Sequence, residues 1–117
     1  MTKVYLYKGC GTCRQAMKWL EERGVAYAPV PIRETPPTRP ELARMLEHVG
    51  GELRRLFNTS GGDYKALGLK DKLATMPRAE ALELLSKNGN LVKRPFVLSP
   101  KGGAVGFKPD EWARLLG

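Results

Sequence analysis

Two cysteines lie three positions apart near the start of the chain, in the segment Cys10-Gly11-Thr12-Cys13. Two thiols at this spacing can lie on one face of a helix, close enough to form and break a disulfide bond. The chain has one His and two Cys in all, too few for a closed structural zinc site or for a disulfide-stapled secreted domain. Redox chemistry is therefore the leading prediction, and two buried apolar thiols or a zinc site shared between two chains are the alternatives.

The predicted position of the pair favours an ionised Cys10. An alternating strand precedes the cysteines and an amphipathic helix follows them. A helix N-terminus presents unpaired N–H groups and a partial positive charge, which lower the pKa of a thiol from the free value of about 8.5. Lys8 and Arg14 add positive charge on either side. Cys10 is thus predicted to attack and Cys13 to resolve.

The elements around the cysteines follow from hydrophobic periodicity and turn residues. Pro29 and Pro31 cannot donate ladder hydrogen bonds, so the second strand is predicted at a sheet edge. Thr38 and Glu41 fit a capping box at the start of a helix. The predicted order is strand–helix–strand, a helical insert and strand–strand–helix. The first three elements are predicted at Thr2–Tyr7, Cys13–Arg23 and Val25–Ile32, and the helices of the insert are one from Thr38 that is stopped by Gly50-Gly51, then Glu52–Phe57, Asp63–Leu67 and Arg78–Lys87. The last two strands are predicted at Phe96–Leu98 and Ala104–Phe107, followed by a helix that begins at Pro109.

Arg94 and Pro95 directly precede the apolar strand Phe96–Leu98. A Cys-x-x-Cys motif between a strand and a helix is typical of a thioredoxin-like fold. In such a fold this dipeptide faces the cysteine loop, and its peptide bond is typically cis. Arg94 is then expected to present its guanidinium to a carboxylate or oxyanion near Cys10. A proline that merely starts a strand is the alternative.

Composition and charge limit the remaining function classes. The chain has 117 residues, of which 42% are hydrophobic, as expected for one globular domain. Each half carries ten basic and six acidic side chains, so the net charge of +8 is spread evenly, without a nucleic-acid motif or a long run of like charges. Two interpretations of this net charge are possible: an ordinary solvated surface, or attraction for an anionic substrate, glutathione or an acidic partner protein. No apolar run approaches the roughly 20 residues of a membrane span, and the N-terminus lacks signal-peptide features, so we expect a soluble, cytoplasmic protein.

Further motifs run across nearly the whole chain. They are the early strand followed by Cys10-Gly11-Thr12-Cys13-Arg14, then Glu34-Thr35-Pro36-Pro37-Thr38, Leu56-Phe57-Asn58-Thr59-Ser60-Gly61 with Tyr64 and Leu67, Met76-Pro77, Arg94-Pro95 and Gly106-Phe107. In this order they resemble the arsenate reductase/Spx family of thioredoxin-fold proteins. The resemblance implies an α/β, thioredoxin-like fold: a mixed four-stranded sheet with flanking helices. It also implies one domain, residues 1–117, with a helical insertion at roughly 35–91.

The resemblance implies roles for individual residues. Cys10 matches the nucleophile of the family's glutaredoxin-coupled arsenate reductases, and Arg94 matches one of their oxyanion-binding arginines. Cys13 stands where those reductases typically have Ser, Asn58 where they have a further Arg, and Lys108, with a one-residue shift, near a third Arg. A charged hydrogen-bonding partner is worth about 1.5–3 kcal/mol, so these departures predict weakened arsenate binding. The candidate substrate-binding residues are Arg94, Pro95, Lys8, Gly11, Thr12, Arg14, Asn58 and Lys108.

The leading functional prediction is a thiol–disulfide redox protein of this family, reduced by glutathione, glutaredoxin or thioredoxin. Arsenate reduction is one alternative. Spx-like members of the family use a Cys-x-x-Cys pair as an oxidation switch, so a redox-sensing regulator that binds the RNA polymerase α-subunit is the other. We expect glutathione as a co-substrate, no bound cofactor or metal, and a monomer.

Overall fold

A mixed four-stranded sheet forms the centre of the computed structural model, which describes residues 2–116. The sheet has the order β2-β1-β3-β4, and its strands are β1 (Lys3–Leu6), β2 (Ala28–Pro31), β3 (Phe96–Ser99) and β4 (Gly102–Val105). β1 and β2 are parallel, whereas β3 is antiparallel to both β1 and β4. The predicted fold class is thereby confirmed, and β2, with Pro29 and Pro31, is an edge strand.

Helices flank the sheet and fill the segment between β2 and β3. Among residues 2–116 they are α1 (Gly11–Glu22), α2 (Arg39–His48), α3 (Gly62–Ala66), α4 (Leu69–Lys72), α5 (Arg78–Lys87) and α6 (Pro109–Leu116), with 3₁₀ turns at Leu53–Leu56 and Gly89–Leu91. None of the helices in this part of the chain has the length and hydrophobicity to cross a membrane. The helix α4 was not predicted, because four residues are too few to display a helical repeat. The last strand was predicted at Ala104–Phe107, but it runs over Gly102–Val105, because Gly102 and Gly103 already pair with β3 through their backbones.

The sheet separates two hydrophobic clusters. Alternation along β1 points Val4 and Leu6 toward α1 and α6, where they pack with Cys13 and Trp112. Tyr5 points to the opposite side and packs with side chains of α2, α5 and the loops between them. Cys13 has 0% of its surface exposed, so the first turn of α1 is anchored by the core itself.

A backbone contact returns the helical segment to the sheet. Phe57 and Val92 form an isolated antiparallel bridge. Hydrogen bonds on either side of it are donated by the N–H groups of Asn58 and Lys93, at 2.7 Å and 2.8 Å. The residues after the first 3₁₀ turn therefore lie beside the chain that leads into β3.

Gly89 permits a second close approach in this region. It is buried, and a Cβ atom there would collide with the carbonyl oxygen of Ile32, the residue that follows β2. Only a glycine leaves room for the backbone of Ile32 at this point, so the end of the helical segment packs directly against its beginning.

Candidate active site

The cysteine loop connects β1 to α1. The N–H of Cys10 donates to the carbonyl of Tyr7 at 3.0 Å, and the carbonyl of Cys10 accepts from the N–H of Arg14 at 3.0 Å, which makes Cys10 the N-cap of α1. The guanidinium of Arg14 donates back to the carbonyl of Lys8 at 2.9 Å. Arg14 thus braces the loop that presents Cys10, while the side chain of Lys8 is exposed.

The sulfur of Cys10 lies in surroundings that favour the thiolate. It is partly exposed and accepts a hydrogen bond from the N–H of Cys13 at 3.4 Å. Burial alone would raise the pKa of Cys10, but the N–H and thiol of Cys13, the N–H of Thr12 and the positive charge of Arg94 outweigh burial and hold the pKa below its ordinary value. The direction agrees with the sequence prediction, and Cys10 is both accessible and activated.

Cys13 has the opposite character. Burial raises its pKa to about 12, against the opposing effect of a backbone hydrogen bond from Tyr7, and the negative charge of Cys10 adds to the rise. Both cysteines are free thiols. At neutral pH Cys13 therefore stays protonated and serves as a donor to Cys10. Residues 2–116 contain no group of three or more His, Cys, Asp or Glu side chains placed to hold a metal ion.

Arg94 faces the cysteine loop from the start of β3. Its peptide bond to Pro95 is cis, as predicted, and the carbonyl of Pro95 accepts from the N–H of Gly106 at 2.8 Å. The Cζ atom of Arg94 lies 5.3 Å from the centroid of the Tyr7 ring. Its Nη1 atom is buried without a hydrogen-bond partner among residues 2–116. A positive charge and a free donor are therefore held near Cys10.

A cleft of about 480 Å³ opens beside the first turn of α1. Thr12 and Lys108, two of the predicted site residues, both line it. The cleft is also lined by Arg54, Arg55 and Lys93, which were not predicted as site residues, and Glu52 is the single acidic residue of the lining. We call this cavity the basic cleft and define it by Thr12, Arg54, Arg55, Lys93 and Lys108.

The four cations of the basic cleft take part in none of the ion pairs formed within residues 2–116. The bridge between Phe57 and Val92 brings the segments of these cations together, because Arg55 precedes one bridge residue and Lys93 follows the other. The adjacent pairs Arg54-Arg55 and Lys93-Arg94 are the sequence signal that could have identified them. Only the fold places Arg54, Arg55 and Lys93 around one cavity, and Arg94 does not line it.

Asn58 holds its own loop together. Its Nδ2 donates to the carbonyl of Asn90 at 3.5 Å, and its Oδ1 accepts from the hydroxyl of Ser60 at 3.4 Å. The next residue, Thr59, lines the basic cleft, whereas Asn58 does not. A contact between Asn58 and a substrate stays a prediction.

Comparisons with known proteins place the chain in context. A family model described as the ArsC family matches residues 5–115, which include both cysteines, Arg94 and the basic cleft. YusI of Bacillus subtilis (strain 168), an uncharacterized protein, is 46% identical over 108 residues, 92% of each chain. The global transcriptional regulator Spx of Listeria innocua is 28% identical over 116 residues, 99% of this chain and 87% of its own length.

Solved structures match the fold over nearly the full length of both chains. An ArsC family related protein from Bacteroides fragilis superposes with a TM-score of 0.92 at 43% identity, covering 97% of this chain and 96% of its own. A possible arsenate reductase from Streptococcus mutans UA159 superposes with a TM-score of 0.89 at 36% identity, covering 97% and 98%. The predicted fold class agrees with both.

Proposed function

The chain belongs to the ArsC family, and we propose that within this family it is a thiol–disulfide redox protein with Cys10 as the attacking thiolate and Cys13 as the resolving thiol. The observation that carries this proposal is the placement of the two thiols: the partly exposed Cys10 sulfur accepts the N–H of Cys13 at 3.4 Å at the start of α1, and Cys13 itself is buried. The pKa shifts agree, lowered for Cys10 and raised to about 12 for Cys13. An attacking thiol must be ionised and accessible. A resolving thiol must lie beside it and can stay protonated until the mixed disulfide has formed.

The two cysteines act in sequence. The Cys10 thiolate attacks one sulfur of a substrate disulfide, which forms a mixed disulfide and releases the other sulfur as a thiolate that takes up a proton. The negative charge of Cys10 is then gone, and with it the repulsion and hydrogen bond that add to burial in raising the pKa of Cys13. Cys13 loses its proton, attacks the Cys10 sulfur, and releases the second substrate thiol. One substrate disulfide is reduced to two thiols as the two cysteines are oxidised to one disulfide.

A thiol reductant returns the protein to its starting state. Two molecules of glutathione, or the dithiol of a thioredoxin or glutaredoxin, reduce the Cys10–Cys13 disulfide and are oxidised to one disulfide in turn. The charge of the basic cleft favours glutathione as the reductant, because glutathione carries two carboxylates and one ammonium group at neutral pH. Four cations and one carboxylate line the cleft, and Thr12 places it next to the cysteines, so charge complementarity favours this ligand.

A redox titration tests the proposed couple. The reduced protein is equilibrated in buffers with defined ratios of reduced to oxidised glutathione, or of reduced to oxidised thioredoxin, then quenched in acid and alkylated. We expect a single two-electron transition, with a Cys10–Cys13 bond identified by mass spectrometry in the oxidised form. The absence of a reversible bond between these two residues would contradict the proposal.

Removal of charge from the basic cleft should slow oxidation by glutathione disulfide. In an Arg54→Gln/Arg55→Gln variant we expect the second-order rate constant to fall about two- to thirtyfold, because each exposed ion pair contributes about 0.2–1 kcal/mol. The rate constant with uncharged hydroxyethyl disulfide should stay at the wild-type value. Arg44→Gln, an exposed change on α2 outside the basic cleft, is the matched control. Equal losses with both disulfides would exclude charge recognition by the cleft.

Arsenate reduction is a second candidate, favoured by the buried Nη1 donor of Arg94 that has no partner among residues 2–116. Such a donor suits an oxyanion near the Cys10 thiolate. Arsenate-dependent consumption of NADPH, in an assay coupled through glutaredoxin or thioredoxin, distinguishes this activity from general disulfide exchange.

A redox-sensing regulator is the third candidate, favoured by the similarity to Spx over almost the whole chain. In this case the Cys10–Cys13 disulfide switches a binding surface instead of turning over a substrate. Retention of the oxidised protein, and not of the reduced one, on the immobilised C-terminal domain of the RNA polymerase α-subunit would support it.

A further inference from the structure

Tyr7 and Arg94 meet just beyond the paired ends of β1 and β3. β1 and β3 pair antiparallel, with Tyr5 opposite Phe96. Tyr7 directly follows β1, and Arg94 lies two residues before Phe96, so both residues lie just beyond this end of the paired register. The rings of Tyr5 and Phe96 meet edge to face at 5.6 Å, and the next pair follows with the Cζ of Arg94 at 5.3 Å from the Tyr7 ring centroid.

Gly9 determines where the Tyr7 ring lies. A Cβ atom on Gly9 would lie 2.6 Å from the Cε2 and Cζ atoms of this ring, so the ring packs directly on the loop backbone one residue before Cys10. The carbonyl of Tyr7 also accepts the N–H of Cys10 at 3.0 Å. Both the ring and the backbone of Tyr7 are therefore in contact with the loop that presents the nucleophile.

The ring holds Arg94 without neutralising it. Arg94 makes no ion pair within residues 2–116, and its Nη1 atom is buried without a hydrogen-bond partner there. An aromatic face attracts a guanidinium within about 6 Å, and an uncharged ring leaves its charge and its N–H donors available. A carboxylate in the same place would fix the side chain but cancel the charge and occupy the donors.

We propose that Tyr7 is a positioning residue, whose ring, seated on Gly9, holds the Arg94 guanidinium beside Cys10 with its charge and donors free. The inference rests on the proposed role of Cys10 as the nucleophile. Burial raises the pKa of Cys10, and the groups that lower it are, in descending order of effect, Cys13, Thr12 and Arg94. Arg33, whose Cζ lies 4.7 Å from the Tyr7 ring centroid, contacts the same ring and supplies an internal control.

The test compares Tyr7→Leu with Tyr7→Phe. The ionisation of Cys10 is followed by thiolate absorbance against pH and by the rate of alkylation with iodoacetamide at about pH 6. Tyr7→Leu should move the titration to higher pH and slow alkylation about three- to tenfold, because the cation–π contact is lost. Tyr7→Phe keeps the ring face and Arg33→Gln removes only the other cation, so both should stay within about twofold of the wild type.

Two further variants test whether Tyr7 acts through Arg94 and whether the position of its ring depends on Gly9. In an Arg94→Leu background, Tyr7→Leu should have no additional effect, since its influence passes through Arg94. Gly9→Ala displaces the ring while retaining Tyr7, and should act in the same direction even if Tyr7→Leu does not fold. The proposal is overturned if neither Tyr7→Leu nor Gly9→Ala shifts the Cys10 titration, if Tyr7→Phe shifts it equally, or if the effect persists without Arg94. Because the readout is ionisation, it is independent of the redox titration.

Discussion

Replacement of Cys13 with Ser should stall the protein as a mixed disulfide, whereas replacement of Cys10 with Ser should abolish disulfide exchange. After exposure to oxidised glutathione, we expect the Cys13→Ser variant to carry one glutathione on Cys10. The Cys10→Ser variant should react at least about a thousandfold more slowly than the wild type, because a hydroxyl stays un-ionised at neutral pH and cannot displace a thiolate. Intact-mass spectrometry of quenched samples separates the adduct, the internal disulfide and the unreacted chain.

Cys13→Ala is the matched control for this trap. A serine hydroxyl can still donate to the Cys10 sulfur in place of the thiol that helps lower the pKa of Cys10, whereas alanine cannot. Both variants should accumulate the adduct, and the Cys13→Ala variant should form it more slowly at low pH. Formation of an adduct on Cys13 at the wild-type rate in the Cys10→Ser variant would reverse the assigned order of attack.

The pH dependence of adduct formation follows from the lowered pKa of Cys10 and the raised pKa of Cys13. Only the thiolate attacks, so the rate in the Cys13→Ser variant should rise with pH and level off above the lowered pKa of Cys10. In the Cys10→Ser variant, burial still disfavours the Cys13 thiolate, and alkylation should stay slow across the neutral range. A rate for Cys10 that continues to climb beyond pH of about 8.5, the free-thiol value, would show that the loop does not activate it.

The features that the sequence predicts correctly are coded within a few neighbouring residues. Cys10 and Cys13 share a helix N-terminus because their spacing and the flanking strand and helix specify it, and Pro29 and Pro31 mark β2 as an edge strand by themselves. Alternation along β1 likewise assigns Val4 and Leu6 to one cluster and Tyr5 to the other. These signals need no knowledge of how distant segments pair.

The features that the sequence leaves open depend on such pairing. Arg54, Arg55 and Lys93 reach one cavity only because a backbone bridge joins their segments. Tyr7 meets Arg94 only because the antiparallel pairing of β1 with β3 brings the end of β1 beside the residues that lead into β3. Several registers fit the same short apolar strands, and the choice among them is made by the packing of the complete core. The candidate nucleophile, its helix N-terminus and the nearby Arg94 were therefore predictable, whereas the basic cleft and the contact of Tyr7 with Arg94 were not.

Neutralisation of Glu41 should be strongly destabilising, because this carboxylate joins α2 to the sheet. Its Oε2 accepts from the Nζ of Lys3 at 2.8 Å, and its Oε1 accepts from the hydroxyl of Tyr5 at 2.6 Å and from the N–H of Thr38 at 2.9 Å. The hydroxyl of Thr38 in turn accepts from the N–H of Glu41 at 3.3 Å, which completes the predicted capping box. One side chain thus caps a helix and pairs with two residues of β1.

The carboxylate is held in its ionised form. Burial by itself would raise the pKa of Glu41, but Lys3, Tyr5 and the N–H of Thr38 outweigh burial and lower the pKa to about 2, from an ordinary 4.5. A folded-state pKa below the unfolded value means that the ionised group favours the fold above pH of about 4.5, and that this contribution is lost as the pH falls toward 2. The Lys3 side chain is 41% exposed, so solvent screens the ion pair between Lys3 and Glu41. We therefore expect the ionised carboxylate to contribute about 2 kcal/mol to the free energy of unfolding.

Glu41→Gln tests this contribution. Glu83→Gln is its matched control, because Glu83 pairs with the cations Arg39, at 2.9 Å, and Lys87, at 3.0 Å, but its side chain is 40% exposed, against 12% for Glu41. Urea unfolding at about pH 7 should show Glu41→Gln less stable than the wild type by about 2 kcal/mol, and Glu83→Gln much less affected. At about pH 2.5 the difference between Glu41→Gln and the wild type should narrow, since the wild-type carboxylate is then close to its own pKa. A loss of stability of equal size at both pH values would assign the effect of Glu41→Gln to packing and not to charge.

The titration of Cys10 should remain at its wild-type position in both variants. Lys3 is the first residue of β1, whereas the cysteine loop follows the opposite end of this strand.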